Sequence, residues 1–260
     1  MSHAASLRRI TALSAAIIVA LSAQTGLAAE WGTLKGRFVY DGKAPVAQKC
    51  NVTKDIEVCT KNHPLEELIT VGPSGGLANV CVWVRTKGVA THPQYDAKPQ
   101  PVVFDNKNCR FTPHIAAVRT GQDLTLSNSD PVAHNSLATC RVNESFNHNL
   151  PPGAKLDVKF TNAERLPVTV QCGSHPWMKA YLLIQDHPYM AVSATDGSFE
   201  IVNLPAGVPL EFQVWHDTGY ITSVTENGKK SEWKLGRFTA TLKPGDNDLG
   251  DLLVSPEELE

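Results

Sequence analysis

The sequence predicts an all-β protein built from two sandwiches, and three observations carry that reading. Short runs of Val, Leu, Thr and Phe recur along the chain, separated by Gly, Asn, Asp and Pro turns. Seventeen Pro and eighteen Gly leave little room for long helices. The strand style changes after Asp186-His187-Pro188, which predicts a second module. At 260 residues the chain suits one large or two modest domains.

The first 28 residues read as an export signal. Arg8 and Arg9 precede an apolar stretch from Ile10 to Ala23, and Gly26-Leu27-Ala28 supplies a small-x-small cleavage pattern. The apolar stretch is too short and too rich in Ala and Ser for a membrane span, so no stable span is expected once it is removed. Cleavage leaves 22 basic against 26 acidic residues, a charge of −4. Such a chain has no basic footprint for nucleic acid. The expected location is the periplasm or the outside of the cell.

From Trp31 to Tyr40, Leu34, Gly36, Phe38 and Tyr40 alternate with polar residues, and Asp41-Gly42 turns the chain. Lys43 to Glu67 is polar and unpatterned, a long loop with one short element. Val80 to Val84 reads as a buried strand, and Gly88 to Pro101 is irregular again. Strands are then expected around Phe104, Ile115–Val118, Leu124–Leu126, Leu156–Phe160, Leu166–Val170 and Ala180–Ile184, in an antiparallel sandwich. In the second module, Asp196-Gly197 and Asn227-Gly228 are hairpin signals, and Leu210, Phe212, Val214 and Phe238, Ala240, Leu242 alternate. The expected division is residues 1–28 as signal, 29–187 as the first domain with a long N-terminal extension, and 188–260 as the second. One competing arrangement pairs Trp31–Tyr40 with the second sandwich, because Asp41-Gly42 shares its turn chemistry.

Chemistry concentrates in one loop. Cys172-Gly173-Ser174-His175-Pro176-Trp177-Met178 spaces a thiol, an imidazole and a thioether evenly, and Asp130-Pro131-Val132-Ala133-His134-Asn135 offers a second imidazole at a strand end. Two His, one Cys and a distant Met are the ligand set of a blue-copper site, a soft trigonal arrangement that both copper oxidation states accept. His134, Cys172, His175 and Met178 are the candidate ligands, and Asn135 is placed to clamp the Cys172 loop. Cys-x-x-His alone would equally suggest zinc, but zinc sites draw on further Cys or His rather than Met.

Oxidising surroundings favour disulfides. With Cys172 on the metal, five cysteines remain. Cys81, in a buried strand, is the expected free thiol. Cys50, Cys59, Cys109 and Cys140 could form two bridges, Cys59–Cys109 being one candidate. Among the other histidines, Phe111-Thr112-Pro113-His114 and Trp215-His216-Asp217 are the best candidates for a second site, against the commoner structural role. No nucleophile motif or paired carboxylates accompany them, so no enzymatic activity is expected.

Val102 to Gln185 resembles the cupredoxins. The Cys172–Met178 loop looks most like that of amicyanin, and Gly121–Asn128 followed by His134-Asn135 is similar to the plastocyanin-type approach to the first His. The second module resembles the transthyretin or carboxypeptidase-regulatory sandwich through Thr195–Phe199 and Leu204–Gly207. The layout also resembles exported proteins labelled methylamine-utilisation-like. The resemblance implies a Greek-key sandwich holding one type 1 copper and passing single electrons to a redox protein partner. It also implies that the edge of His175 is exposed as the electron port, with Pro176 and Trp177 around it; the competing reading packs Trp177 inward. The alternative function is a cell-envelope binding or scaffold protein with a structural or storage copper, its second module binding a glycan or protein. A part in a larger copper oxidase assembly is a weaker third.

Overall fold

The computed structural model describes residues 30–260; the export signal expected over residues 1–28 lies outside them. The regular structure of the described chain is mostly strand, in four sheets that make two sandwiches. Among the described residues, no helix is long and apolar enough to cross a membrane.

One sandwich is built from Val102 to Gln185. Its first sheet runs Ile115–Arg119, Lys179–Gln185, Val168–Gln171, His134–Thr139, Phe146–Leu150. Its second runs Arg110–Thr112, Val102–Lys107, Leu124–Asn128, Lys155–Val158. Two pairings are parallel, Val102–Lys107 with Leu124–Asn128 and Ile115–Arg119 with Lys179–Gln185. The antiparallel sandwich expected from the sequence is therefore mixed. Between the sheets, Phe104, Phe111, Leu124, Leu126, Val170, Leu182 and Ile184 are buried in one core. The strand Phe146–Leu150 escapes a reading by apolar alternation because its Asn-His-Asn centre is polar, as suits the end strand of a sheet.

The other sandwich takes strands from both ends of the chain. One sheet runs Ser198–Pro205, Trp31–Tyr40, Gly245–Val254, Ser223–Glu226, Lys229–Glu232. The second holds Met190–Val192, Cys81–Val84, Pro209–His216 and Gly219–Tyr220, with Arg237–Thr241 paired to Pro209–His216. The expected division at 187/188 does not follow these sheets. Trp31–Tyr40 lies between Ser198–Pro205 and Gly245–Val254, and Cys81–Val84 lies between Met190–Val192 and Pro209–His216. The physical reason is burial: Leu34, Phe38, Val80, Val82 and Val84 fill the same core as Phe212, Val214 and Leu252. The metal-loop sandwich is thus inserted between two parts of the other.

Period-2 sorting joins the two sandwiches. Val82 and Val84 face the core of their own sandwich, whereas Cys81 and Trp83 face the other way. Along Lys179–Gln185, Ala180, Leu182 and Ile184 face the inserted sandwich's core, whereas Tyr181 and Leu183 point out. Cys81, Trp83, Ile115, Tyr181, Leu183 and Trp215 meet as a third buried cluster between the sandwiches. The unbroken apolar runs at 80–84 and 180–184 reflect burial on both faces.

Turn chemistry is realised unevenly. Asn227-Gly228, with φ 50° and 73°, closes a hairpin between Ser223–Glu226 and Lys229–Glu232. Asp196-Gly197 does not: Met190–Val192 and Ser198–Pro205 belong to different sheets, so this turn crosses the sandwich. Gly197 (φ 84°) is required there, since a Cβ would strike the Phe38 carbonyl.

Cys59–Cys109 is a disulfide and Cys81 is free and buried. Cys50 and Cys140 are also free, so the possible second bridge is not formed. Cys50 lines the same pocket as Met178 and Lys179, whereas Cys140 follows Thr139 at the far end of the strand that His134 begins. A six-residue strand is about 20 Å long, well beyond disulfide reach.

Candidate metal centre

His134 opens its strand, so its position is fixed by pairing with Leu150 on the neighbouring strand. Cys172, His175 and Met178 lie in the turn between Val168–Gln171 and Lys179–Gln185, which are paired out to Gln171 with Lys179. The turn closes on itself, the Cys172 N–H donating to the Met178 carbonyl (3.2 Å) and the Met178 N–H to the His175 carbonyl (2.8 Å). These two hydrogen bonds hold three candidate ligands at one end of the sandwich.

All four candidates are buried, His175 completely. Cys172 Sγ stands 3.6 Å from His175 Nδ1 and 4.0 Å from His134 Nδ1, and the three donor atoms lie within 4.8 Å of one another. A first-row ion bound at about 2.3 Å to sulfur and about 2.0 Å to nitrogen in a trigonal plane separates S from N by about 3.7 Å. The observed distances bracket that value, so the donor set fits such an ion. Met178 is buried against the same core.

The outward nitrogens are held too. Asp130 Oδ2 is 3.0 Å from His134 Nε2, and Asp55 Oδ2 is 2.9 Å from His175 Nε2. A carboxylate accepts only, so each ring donates from Nε2 and leaves Nδ1 bare toward Cys172. Asp130 is itself fixed by the N–H groups of Asn108 (2.7 Å) and Cys109 (2.8 Å). Burial would raise its pKa, but His134 and those two N–H groups hold it below the usual carboxylate range. The spacing Asp130-Pro131-x-x-His134 could have revealed this partner. Nothing in the sequence flags Asp55, which lies 120 residues from His175.

Asn135 clamps the loop. Its Oδ1 accepts from the N–H groups of Gly173 (2.8 Å) and Ser174 (3.3 Å), its backbone N–H reaches Cys172 Sγ (3.4 Å), and Asn147 Oδ1 accepts from its Nδ2 (2.7 Å). Burial would raise the Cys172 pKa, but the adjoining His134 and His175 rings and the Asn135 N–H bring it well below the ordinary thiol range. Burial acts downward on His134, and Asp130 with Cys172 outweighs it, raising its pKa.

The His175 edge is covered, contrary to the expected port. The segment carrying Asp55 and the short helix Ile56–Cys59 lies over it, tied down by Cys59–Cys109. Trp177 is half-buried, stacks edge-on to His175 (centroids 5.1 Å apart) and donates Nε1–H to the Cys109 carbonyl (3.1 Å). The inward reading of Trp177 holds.

The second pair of histidine motifs also meets in space. His114 Nε2 is 3.4 Å from Asp217 Oδ2 and its Nδ1 is 3.7 Å from Glu67 Oε2, ion pairs too long to be well-directed hydrogen bonds. Asp217 also accepts from Tyr181 and, at 3.0 Å, from Lys179. His216 is fully buried, and its Nδ1 accepts from the Thr218 N–H (3.3 Å). Asp217 belongs to one sandwich and His114, Lys179 and Tyr181 to the other, so the cluster is an ionic joint between them. The two histidines do not converge on one point with a third donor, and among the described residues the donor clusters of metal-binding spacing are those at His134.

No family model matches the chain, and no curated protein matches it. Several solved structures are similar over part of it. A copper-containing nitrite reductase from Thermus scotoductus SA-01 is 20% identical over 34% of this chain and 23% of its own, with a TM-score of 0.31. A purple cupredoxin from Nitrosopumilus maritimus is 21% identical over 34% of this chain and 100% of its own, with a TM-score of 0.28. An oxidised proline-to-alanine variant of amicyanin is 15% identical over 40% of this chain and 98% of its own, with a TM-score of 0.30. This chain spans less than a quarter of the nitrite reductase's length. The metal reading rests on the donor set and its geometry, not on these likenesses.

Proposed function

We propose that the chain is an exported copper protein of type 1 that passes single electrons, with His134, Cys172, His175 and Met178 as ligands. The observation that carries this is the position of Cys172 Sγ, 3.6 and 4.0 Å from two Nδ1 atoms whose opposite nitrogens are each tied to a carboxylate. A soft thiolate, two imidazoles and a thioether select copper over the harder divalent ions. Copper in such a set supplies a one-electron couple with little change of geometry. The chain's part is to keep that geometry fixed. Asn135 holds the 172–174 turn, Asp130 and Asp55 orient the rings, and the core around Phe104, Phe111 and Met178 keeps water out.

Protein loaded with Cu(II) should turn intensely blue through thiolate-to-copper charge transfer, and Cys172→Ala should abolish the colour. A colourless wild type that takes zinc and refuses copper would overturn the reading. The covered His175 edge supports a second reading, in which the copper is structural or stored on an envelope scaffold and the outer sandwich binds a glycan or protein. Reversible voltammetry of the loaded protein favours the carrier and its redox protein partner. Irreversible behaviour with glycan retention by the full chain favours the scaffold.

A further inference from the structure

Asp55 departs from what its local position asks of it. It stands at the N-cap of Ile56–Cys59, where an Asp side chain ordinarily accepts from the helix's first N–H groups. Its carboxylate makes no such bond. Only its backbone carbonyl serves the turn, accepting from Val58 N (3.0 Å) and Cys59 N (2.9 Å). The residue adopts φ 49°, ψ 42°, a left-handed conformation that costs a non-glycine residue energy and that Asp tolerates better than most. In that conformation the side chain faces His175 Nε2 at 2.9 Å. His175 is wholly buried, while the Asp55 side chain is 34% exposed, so this carboxylate stands between the ring and solvent.

The other imidazole gives an internal comparison. His134 is oriented by Asp130, four residues before it and locked by two backbone N–H groups. Asp55 does the same for His175 from a remote segment that Cys59–Cys109 cross-links to the inserted sandwich. The two rings are thus oriented in the same sense by carboxylates of different origin.

We propose that Asp55 is a positioning residue for the metal centre. It selects the His175 tautomer that leaves Nδ1 bare toward Cys172, and it sets a negative charge at the outer edge of that ring. This rests on the copper reading for its metal-dependent consequences, but the tautomer can be read without metal. A carboxylate partner makes a ligating imidazole more basic, and loss of such a partner typically costs about 10–100-fold in metal affinity. The added negative charge favours the more positive oxidation state, so the site's reduction potential is held low.

The test uses the full chain with Asp55→Ala, Asp55→Asn and Cys59→Ser. In metal-free wild type, nitrogen NMR should show His175 protonated at Nε2. Asp55→Ala should give a tautomer mixture, and Asp55→Asn, whose amide oxygen can still accept, should restore the single tautomer. With Cu(II), Asp55→Ala should lose the ion to a chelator with affinity weakened by about 10–100-fold, its reduction potential should rise, and Asp55→Asn should raise the potential while retaining the ion better. Cys59→Ser, which frees the segment, should move all three readouts in the direction of Asp55→Ala. Unchanged tautomer, retention and potential in Asp55→Ala would overturn the proposal. Wild type that refuses copper but shows the tautomer change would sink the copper reading and leave the positioning role of Asp55 standing.

Discussion

His114 shows how a residue that looks functional in isolation can be structural. Burial acts to lower its pKa, but Asp217 and Glu67 outweigh this and raise it from 6.5 to about 9. Because the folded value lies above the unfolded one, the stabilisation is fully present below about pH 6.5 and is lost as pH rises through about 9. Its neighbour His216 is pushed the other way by burial, to about 4, so it stays neutral across that window. The melting temperature of wild type should therefore fall between pH 6.5 and 9 relative to that of His114→Gln, measured by calorimetry on the two proteins in parallel. Parallel curves over this range would show that the ionic joint contributes nothing. Tyr181 and Lys179 also lean on Asp217, so Asp217→Asn should weaken the joint at every pH rather than only at alkaline pH.

Among the elements, the 50–68 segment has little regular structure of its own. It holds the four-residue helix Ile56–Cys59, the 3-10 helix Thr60–Asn62 and an isolated bridge from Leu65 to Lys49, and it leaves Ile56, Leu65 and Leu68 exposed. The bridge Cys59–Cys109 spans 50 residues and is completely buried. Closing a loop of that length stabilises the fold by about 4 kcal/mol through the entropy of the unfolded chain. Cys59→Ser should lower the urea midpoint of the metal-free protein by a corresponding amount, and it should open His175 to acylating reagents that leave wild type untouched. An unmodified His175 in that variant would mean that the cover is held by packing alone. Thiol titration of unfolded wild type should count four free cysteines, Cys50, Cys81, Cys140 and Cys172.

For the whole molecule, the decisive feature is that one sandwich interrupts the other. Truncation after His187 removes the strands on both sides of Trp31–Tyr40 and both strands beside Cys81–Val84, Met190–Val192 and Pro209–His216. Leu34, Phe38, Val82 and Val84 then lose their core, and Tyr181 and Leu183 lose Trp215. Unpaired edges beside an exposed apolar face favour aggregation. The truncated chain should be insoluble or oligomeric by light scattering while the full chain is monodisperse. A soluble, cooperatively unfolding 30–187 fragment would show that the interrupted sandwich does not need its C-terminal part.

Local chemistry explains what was legible in the residues alone. The 172–178 spacing and the His134-Asn135 pair identify a compact donor set because turn geometry forces near neighbours together. Alternation in 31–40 and 209–216 likewise marks strands wherever one face is apolar. Partnership across the chain was legible only as candidates, the pairing of Trp31–Tyr40 with the second sandwich and the Cys59–Cys109 bridge, both of which the fold contains. Gly245–Val254 carries Asp at 246, 248 and 251, so it shows little apolar pattern, yet it runs parallel to Trp31–Tyr40 in the middle of its sheet. Asp55 has no local mark of its role, since its carboxylate acts on a ring 120 residues away. Period and spacing report which face of an element is buried and which donors share a turn. The choice of the element that covers that face depends on packing between remote segments, and here that choice closed the His175 edge and threaded one sandwich through the other.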